Sequence, residues 1–225
     1  MIAVIIPCLN EEGSIGNVII SARYALKKSN LKSKIIVVDD FSDDASLTKI
    51  TEADIIIPLK ERMPVAEVIK VGINEAMKLK PDIIIHMDAD GQHNPEDIPK
   101  LINPISEGKA DMVIGSRFLC KNKISHRAEN LILTRLVNMI AKTHLTDTQS
   151  GFRAIRYNIL QKIPLISKFT YTQEEVIKAA RLGCRIKEIP IKVLSRKHGR
   201  SRISGNTLNY AAKAGFDLIR IMLNN

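Results

Sequence analysis

The stretch IIIHMDADGQHNPED, residues 83–97, runs from an almost purely aliphatic segment into two aspartates one residue apart, then into Gly91, Gln92 and His93, and then into a proline-led polar segment. An interior strand that ends in paired carboxylates is expensive to fold, because like charges repel and resist desolvation, so a positive partner is expected beside them. In an extended segment residues i and i+2 point to the same side, which lets Asp88 and Asp90 converge on one ion. Pro95 suits the first turn of the following helix.

The same plan repeats on either side. IAVII (2–6), KIIVVD (34–39), DIIIP (54–58) and DMVIG (111–115) join DIIIHM (82–87) as short, β-branched runs, apolar on both faces as strands inside a parallel sheet must be. Helix-like stretches separate them at 14–28 behind Ser14, at 64–79 with Pro64 leading, and at 95–106. This alternation predicts an α/β doubly wound sheet, mostly parallel, with helices on both faces, and such sheets bind ligands at the carboxyl ends of their strands. Beyond residue 118 the pattern predicts helices at 127–142 and 172–182, a polar loop at 147–153, a strand pair or bent strand at 184–194 broken at Pro190, a basic loop at 195–202 and an amphipathic helix at 205–223. Repeats and linkers are absent, so the 225 residues form a single domain, divided as 1–118, 119–204 and 205–223.

Lys and Arg outnumber Asp and Glu by 34 to 24, and a net charge of +10 favours polyanionic partners. Aromatic residues make up only 4% and Trp is absent, which argues against a nucleic-acid stacking platform. Cys8, Cys120 and Cys184 are too scattered for a disulfide or zinc framework and suit a reducing, cytoplasmic setting. No apolar run is long enough to span a bilayer.

Acids gather at the predicted strand ends: Asn10, Glu11 and Glu12 after the first, Asp39, Asp40, Asp43 and Asp44 after the second, Asp88 and Asp90 after the fourth. Mg²⁺ typically takes one or two carboxylates plus substrate phosphates, so the Asp88–Asp90 pair predicts a metal-bridged diphosphate. Asp43 and Asp44, ahead of ASLTKI, read as helix caps and turn residues.

In order along the chain, PCLNEE (7–12), VVDDFSDD (37–44), MDADGQHNPED (87–97), GSR (115–117), DTQSGFR (147–153) and RKHGRSR (196–202) resemble the landmarks of family 2 glycosyltransferases with the GT-A (Rossmann-like) fold. Within that family the chain is most similar to the dolichyl-phosphate mannose synthases and related polyprenyl-phosphate glycosyltransferases. The resemblance implies that Pro7, Leu9, Asn10 and Glu11, with Asp39 and Asp40, hold the base and ribose of a nucleoside-diphosphate sugar, GDP-mannose being favoured, and that Asp88 and Ala89 touch the same donor. Asp88, Asp90 and Gln92 would bind Mg²⁺ or Mn²⁺. Arg117 would contact phosphates, Ser150, Gly151, Phe152 and Arg153 would shape the sugar and acceptor side, and Arg196, Gly199, Ser201 and Arg202 would close over phosphates. Asp90, Arg117 and Arg202 would carry catalysis. Position 202 is Arg where relatives have Lys, which keeps the charge but changes the geometry. Gly91 stands where relatives carry a larger apolar residue, so glycine would loosen the loop or admit a bulkier donor.

A polyprenyl or dolichyl phosphate is already an anion, so attack on the anomeric carbon needs alignment and charge neutralisation more than a base. Glu174 or Glu175 would serve as base only for a hydroxyl acceptor, and otherwise cap or solvate their helix's first turn. His86 and His93 read as structural, and Cys8 as filling space. The helix at 205–223 fits core packing or a lipid-facing interfacial position about equally well, and attachment to the cytosolic membrane face would be peripheral or through an anchoring subunit. Alternatives are a UDP-sugar transferase acting on a saccharide hydroxyl, a metal-dependent nucleotidyltransferase, which would more naturally have a basic Gly-rich loop than PCLNEEGSIG, and an RNA-binding module.

Overall fold

Runs of Ile and Val that are apolar on both faces settle only inside a sheet covered on both sides. The computed structural model, which describes residues 1–28, 30–120, 128–196 and 207–223, has that form. Its strands are β1 (Ile2–Cys8), β2 (Ser33–Asp39), β3 (Ile55–Pro58), β4 (Ile83–His86), β5 (Met112–Ser116), β6 (Arg153–Arg156) and β7 (Ile186–Pro190). The helices are α1 (Ile15–Lys28), α2 (Ser46–Lys49), α3 (Val65–Lys78), α4 (Ile98–Ser106), α5 (Ala128–Ala141), α6 (Tyr157–Leu160), α7 (Tyr171–Arg181) and α8 (Thr207–Leu223). One sheet runs in the order β3-β2-β1-β4-β6-β5-β7.

Alternation along β1 shows how the layers form. Ile2, Val4, Ile6 and Cys8 pack with α1 and α4 on one face, while Ala3 and Ile5 pack with α3 in the layer that also holds α5, α7 and α8. Each fully buried Ile or Val contributes about 1.5–3 kcal/mol. The fit is tight where α3 crosses the sheet: a Cβ on Gly72 would lie 2.4 Å from Ile5 Cγ2.

The five strands and the helices expected from the sequence form within two residues of their anticipated bounds, with Pro95–Asp97 making a 3₁₀ turn ahead of α4. Two features differ. The segment 184–194 is one strand, β7, which stops at Pro190, followed by an isolated bridge from Val193 to His93. The segment expected as a polar loop at 147–153 leads into β6, which inserts antiparallel between β4 and β5. Because β6 runs against its neighbours, its beginning lies beside their ends. Ser150, Gly151, Phe152 and Arg153 therefore arrive at the same sheet edge as Asp40, Asp88 and Arg117.

Helix α8 is both docked and amphipathic. Ala214, Leu218 and Ile221 enter the core, and the Asp217 carboxylate accepts from Lys168 N and Phe169 N, tying the helix to the loop before α7. Phe216, Ile219, Met222 and Leu223 face outward, Phe216 being 75% exposed.

Candidate functional site

The carboxyl ends of β1 and β2 are locked to each other. Asn10 adopts the left-handed conformation at φ 55°, which asparagine tolerates. Its N–H donates to Ser42 Oγ at 3.0 Å, and its side chain exchanges hydrogen bonds with Asp43. Asp39 is fully buried and accepts from Ser42 Oγ and Ser42 N, while Asp40 accepts from Met63 N at 2.7 Å. Asp44 accepts from Ser46 N and Glu12 N, the turn-capping part expected of it, and those bonds help hold its carboxyl below the ordinary range although partial burial works the other way. Phe41, between these acids, is exposed at φ 58°, a strained setting for a bulky residue that sequence reading passed over. Pro7 and Leu9 are half-buried beside Cys8, whose thiol burial pushes up to about 12.

Beyond β4, Asp88 and Asp90 project from the turn before Pro95, with side chains 44% and 17% exposed. The Asp88 N–H donates to His93 Nδ1 at 3.3 Å, and the His93 ring stacks on Phe152 with centroids 5.0 Å apart. Asp90 Oδ1 accepts from Gln92 N at 2.9 Å, and Gln92 O accepts from Leu194 N, so Gln92 joins the loop through its backbone. Ala89 is buried beneath the loop. Gly91 sits at φ +72°, where side chains are strained, although a Cβ would come no closer than 3.6 Å to any neighbour. The glycine thus answers a backbone requirement of the turn.

Arg196 reaches across from the C-terminal side, pairing with Glu11 and, at 3.4 Å, with Asp90 Oδ2. It is the positive partner that the opening stretch demanded. Burial raises the Glu11 carboxyl above its usual range, and Arg196 and Ser14 pull it back. Gly199, Ser201 and Arg202 lie outside the described residues. A cleft of about 410 Å³ opens between Ser14 and Asn17, the Asp90–Gly91 turn, and Leu194.

Arg117, at the end of β5, forks onto Asp147 with Nε–Oδ2 2.7 Å and Nη2–Oδ1 2.9 Å. Asp147 is fully buried, and Glu188 on β7 accepts from Thr146 N and Asp147 N. Sequence reading had not assigned Asp147, although an acid opening a loop that ends in arginine was a usable signal.

The remaining residues singled out from the sequence are enclosed by the fold. Phe152 and Arg153 are fully buried, so they underlie the site and do not line it. Ser150 is buried as well, and Gly151 is pressed against Asp88. Glu174 and Glu175, expected to cap or solvate α7, are fully buried: Glu174 accepts from Ile166 N and Ser167 N and pairs with Lys178, and Glu175 pairs with Arg153. Burial pushes the Glu175 carboxyl up to about 7 and His86 down to about 3. Glu175 Oε1 and His86 Nδ1 face each other at 3.7 Å, neither in a hydrogen bond among the described residues.

Among the described residues no three His, Cys, Asp or Glu side chains gather as a metal cage. Mg²⁺ typically takes only one or two carboxylates and completes its shell with substrate phosphates, and Asp88 and Asp90 offer two carboxylates on one turn.

A family model described as glycosyl transferase family 2 matches residues 3–164. A protein of Methanococcus voltae named UDP-N-acetylglucosamine-dolichyl-phosphate N-acetylglucosaminyltransferase is 29% identical over 90% of this chain and 89% of its own. The undecaprenyl-phosphate mannosyltransferase of Micrococcus luteus is 30% identical over 92% of this chain and 89% of its own. In fold, the chain is similar to the Mycobacterium tuberculosis glucosyl-3-phosphoglycerate synthase crystallised with Mn²⁺, UDP-glucose and phosphoglyceric acid, with a TM-score of 0.76 and 18% identity over 99% of this chain and 79% of that one.

Proposed function

Because this chain belongs to glycosyl transferase family 2, we propose that it moves a hexose from a nucleoside diphosphate to a polyprenyl or dolichyl phosphate, inverting the anomeric centre in one displacement. The observation that carries the choice of acceptor is the burial of Glu174 and Glu175. A sugar hydroxyl needs a positioned base, and the two glutamates offered for that work are enclosed and engaged in structural bonds. A lipid phosphate needs none.

GDP-mannose is the donor to test first, supported by the mannosyltransferase relative; the N-acetylglucosaminyl relative makes UDP-sugars the next. Asp88 and Asp90 would hold Mg²⁺ or Mn²⁺, which would neutralise the departing diphosphate. Asp39, Asp40 and the Pro7–Glu11 turn would seat the nucleoside, the two tied strand ends keeping that wall rigid. Arg117, fixed by its fork on Asp147, and Arg196 would supply positive charge toward phosphate, with Arg196 exchanging carboxylates for phosphate as the substrates enter.

Among the described residues no helix is long and apolar enough to cross a membrane. The outward Phe216, Ile219, Met222 and Leu223 beside Arg220 support peripheral attachment at a cytosolic membrane face, directly through α8 or through an anchoring subunit.

The test is to incubate the protein with labelled GDP-mannose, UDP-glucose or UDP-N-acetylglucosamine, a divalent ion and polyprenyl phosphate, and to extract the lipid. Label in the lipid, lost with EDTA and reduced more than about 100-fold in Asp90→Ala, is expected. Label on a saccharide and none on lipid would overturn the acceptor; transfer that survives both EDTA and Asp90→Ala would overturn the metal.

A further inference from the structure

Deepening that reading, and resting on it for the role of Asp88, we infer that the segment Ser150–Arg153 is the positioning element for the Asp88 carboxylate, anchored by Arg153 beneath the site. The Arg153 guanidinium is fully buried, a placement that is strongly unfavourable unless its donors are satisfied. They are: Nε and Nη2 donate to Ser150 O, Nη2 to Thr148 O at 3.2 Å, and Nη1 to Thr172 O at 2.7 Å, with Glu175 Oε2 at 3.4 Å. One side chain thereby collects carbonyls of the loop before β6 and of the first turn of α7, groups that a loop cannot pair for itself. On the sheet, Arg153 is opposite His86, two residues before Asp88.

The segment above this anchor closes around Asp88. A Cβ on Gly151 would stand 2.9 Å from Asp88 Oδ1, 3.1 Å from Oδ2 and 3.3 Å from Tyr171 Oη, so only glycine lets the backbone lie against the carboxylate where it is. Gly151 lies outside the left-handed region, and alanine can adopt its backbone. Phe152 carries the His93 ring, whose Nδ1 accepts from Asp88 N. The carboxylate is bounded by Gly151 on one side and His93 on the other, both supported by a four-residue segment that Arg153 holds down.

Gly151→Ala is the direct test, because the atom it meets is the end of a short side chain that can turn away while the protein stays folded. Mn²⁺ is titrated by EPR into the protein with GDP and, separately, with UDP, for wild type, Asp88→Asn, Gly151→Ala, Arg153→Lys and the Gly151→Ala/Arg153→Lys pair, with thermal unfolding of each. Gly151→Ala and Arg153→Lys should each weaken Mn²⁺ binding roughly 10- to 100-fold, the usual cost of losing a group that orients a ligand. Lysine keeps the charge but cannot span three carbonyls. The pair should cost less than the product of the single effects, since both act on one carboxylate. If Asp88→Asn weakens Mn²⁺ binding and Gly151→Ala does not, the positioning role is overturned and the metal reading stands. If Asp88→Asn has no effect, Asp88 does not hold the ion, and the assignment on which this inference rests falls with it. Should Arg153→Lys fail to fold, Gly151→Ala alone decides.

Discussion

Replacing Glu175 by Gln asks whether the buried carboxyl beside Arg153 is neutral in the folded protein. Burial is the main reason its pKa rises from 4.5 to about 7; Arg153 pulls it down and Glu174 pushes it further up. A folded-state pKa above the unfolded value means that the folded protein binds the proton more tightly. Its contribution to stability is then fully present below about pH 4.5 and is lost as pH rises through about 7. At about 1.4 kcal/mol for each unit of pH, the interval corresponds to about 3 kcal/mol. Glutamine is neutral throughout and nearly the same shape, so it carries no such dependence. Urea unfolding followed by circular dichroism, at steps between pH 4.5 and 8, should show Glu175→Gln gaining up to about 3 kcal/mol over wild type across that range and then levelling off. Taking the difference cancels the other titrating groups. A difference that stays flat would show that Glu175 is ionised at every pH, with the Arg153 pair outweighing burial.

Gly72→Ala gains about 1 kcal/mol of helix propensity but overpacks the sheet, at about 1–3 kcal/mol, because the new Cβ would meet Ile5 Cγ2 at 2.4 Å; a lower melting temperature is expected, and an unchanged one would mean α3 can slide. Cys8, with its thiol pushed up to about 12, should resist iodoacetamide at pH 8 in the folded protein and react in urea, as read by peptide mass spectrometry; rapid native labelling would contradict its burial. Arg196→Met removes the cation shared by Glu11 and Asp90, so Mn²⁺ alone should bind about two- to fivefold more tightly, the worth of a partly exposed pair, while sugar transfer falls. An unchanged Mn²⁺ affinity would show that the guanidinium does not compete for those carboxylates.

Strands β1, β2, β4 and β5 were legible because burial on both faces leaves Ile and Val nowhere else to go, and β3 was legible from its Ile run although it lies at the sheet edge with Ile56 exposed; the acids at the strand ends stand out against that background. Strand β6 was not: RAIR is four residues long and charged at both ends, and nothing local shows that Arg153 is buried by carbonyls brought from two other segments. The same holds for Glu174 and Glu175, which look like first-turn acids until α7 is laid against the sheet. The landmark residues gather at one edge of the sheet but come to rest at different depths. Asp90 and Arg196 meet at the surface of the site, with Asp88 exposed on the same turn, whereas Phe152 and Arg153 lie beneath it. Sequence spacing carries the period of a strand or helix, not the depth at which a loop residue comes to rest.

The reversed strand β6 also sets an order of events during synthesis. Strands β4 and β5 have no direct pairing; each waits for β6 to fill the place between them. The ribosome must deliver everything from Arg117 to Phe152 first, roughly two to seven seconds of elongation. Through that interval the nascent chain holds a half-built sheet with an open apolar edge along β4, the kind of surface that pairs with strangers. A premature stop after β5 would leave that edge exposed for good, and the fragment would be bound for a chaperone or an aggregate.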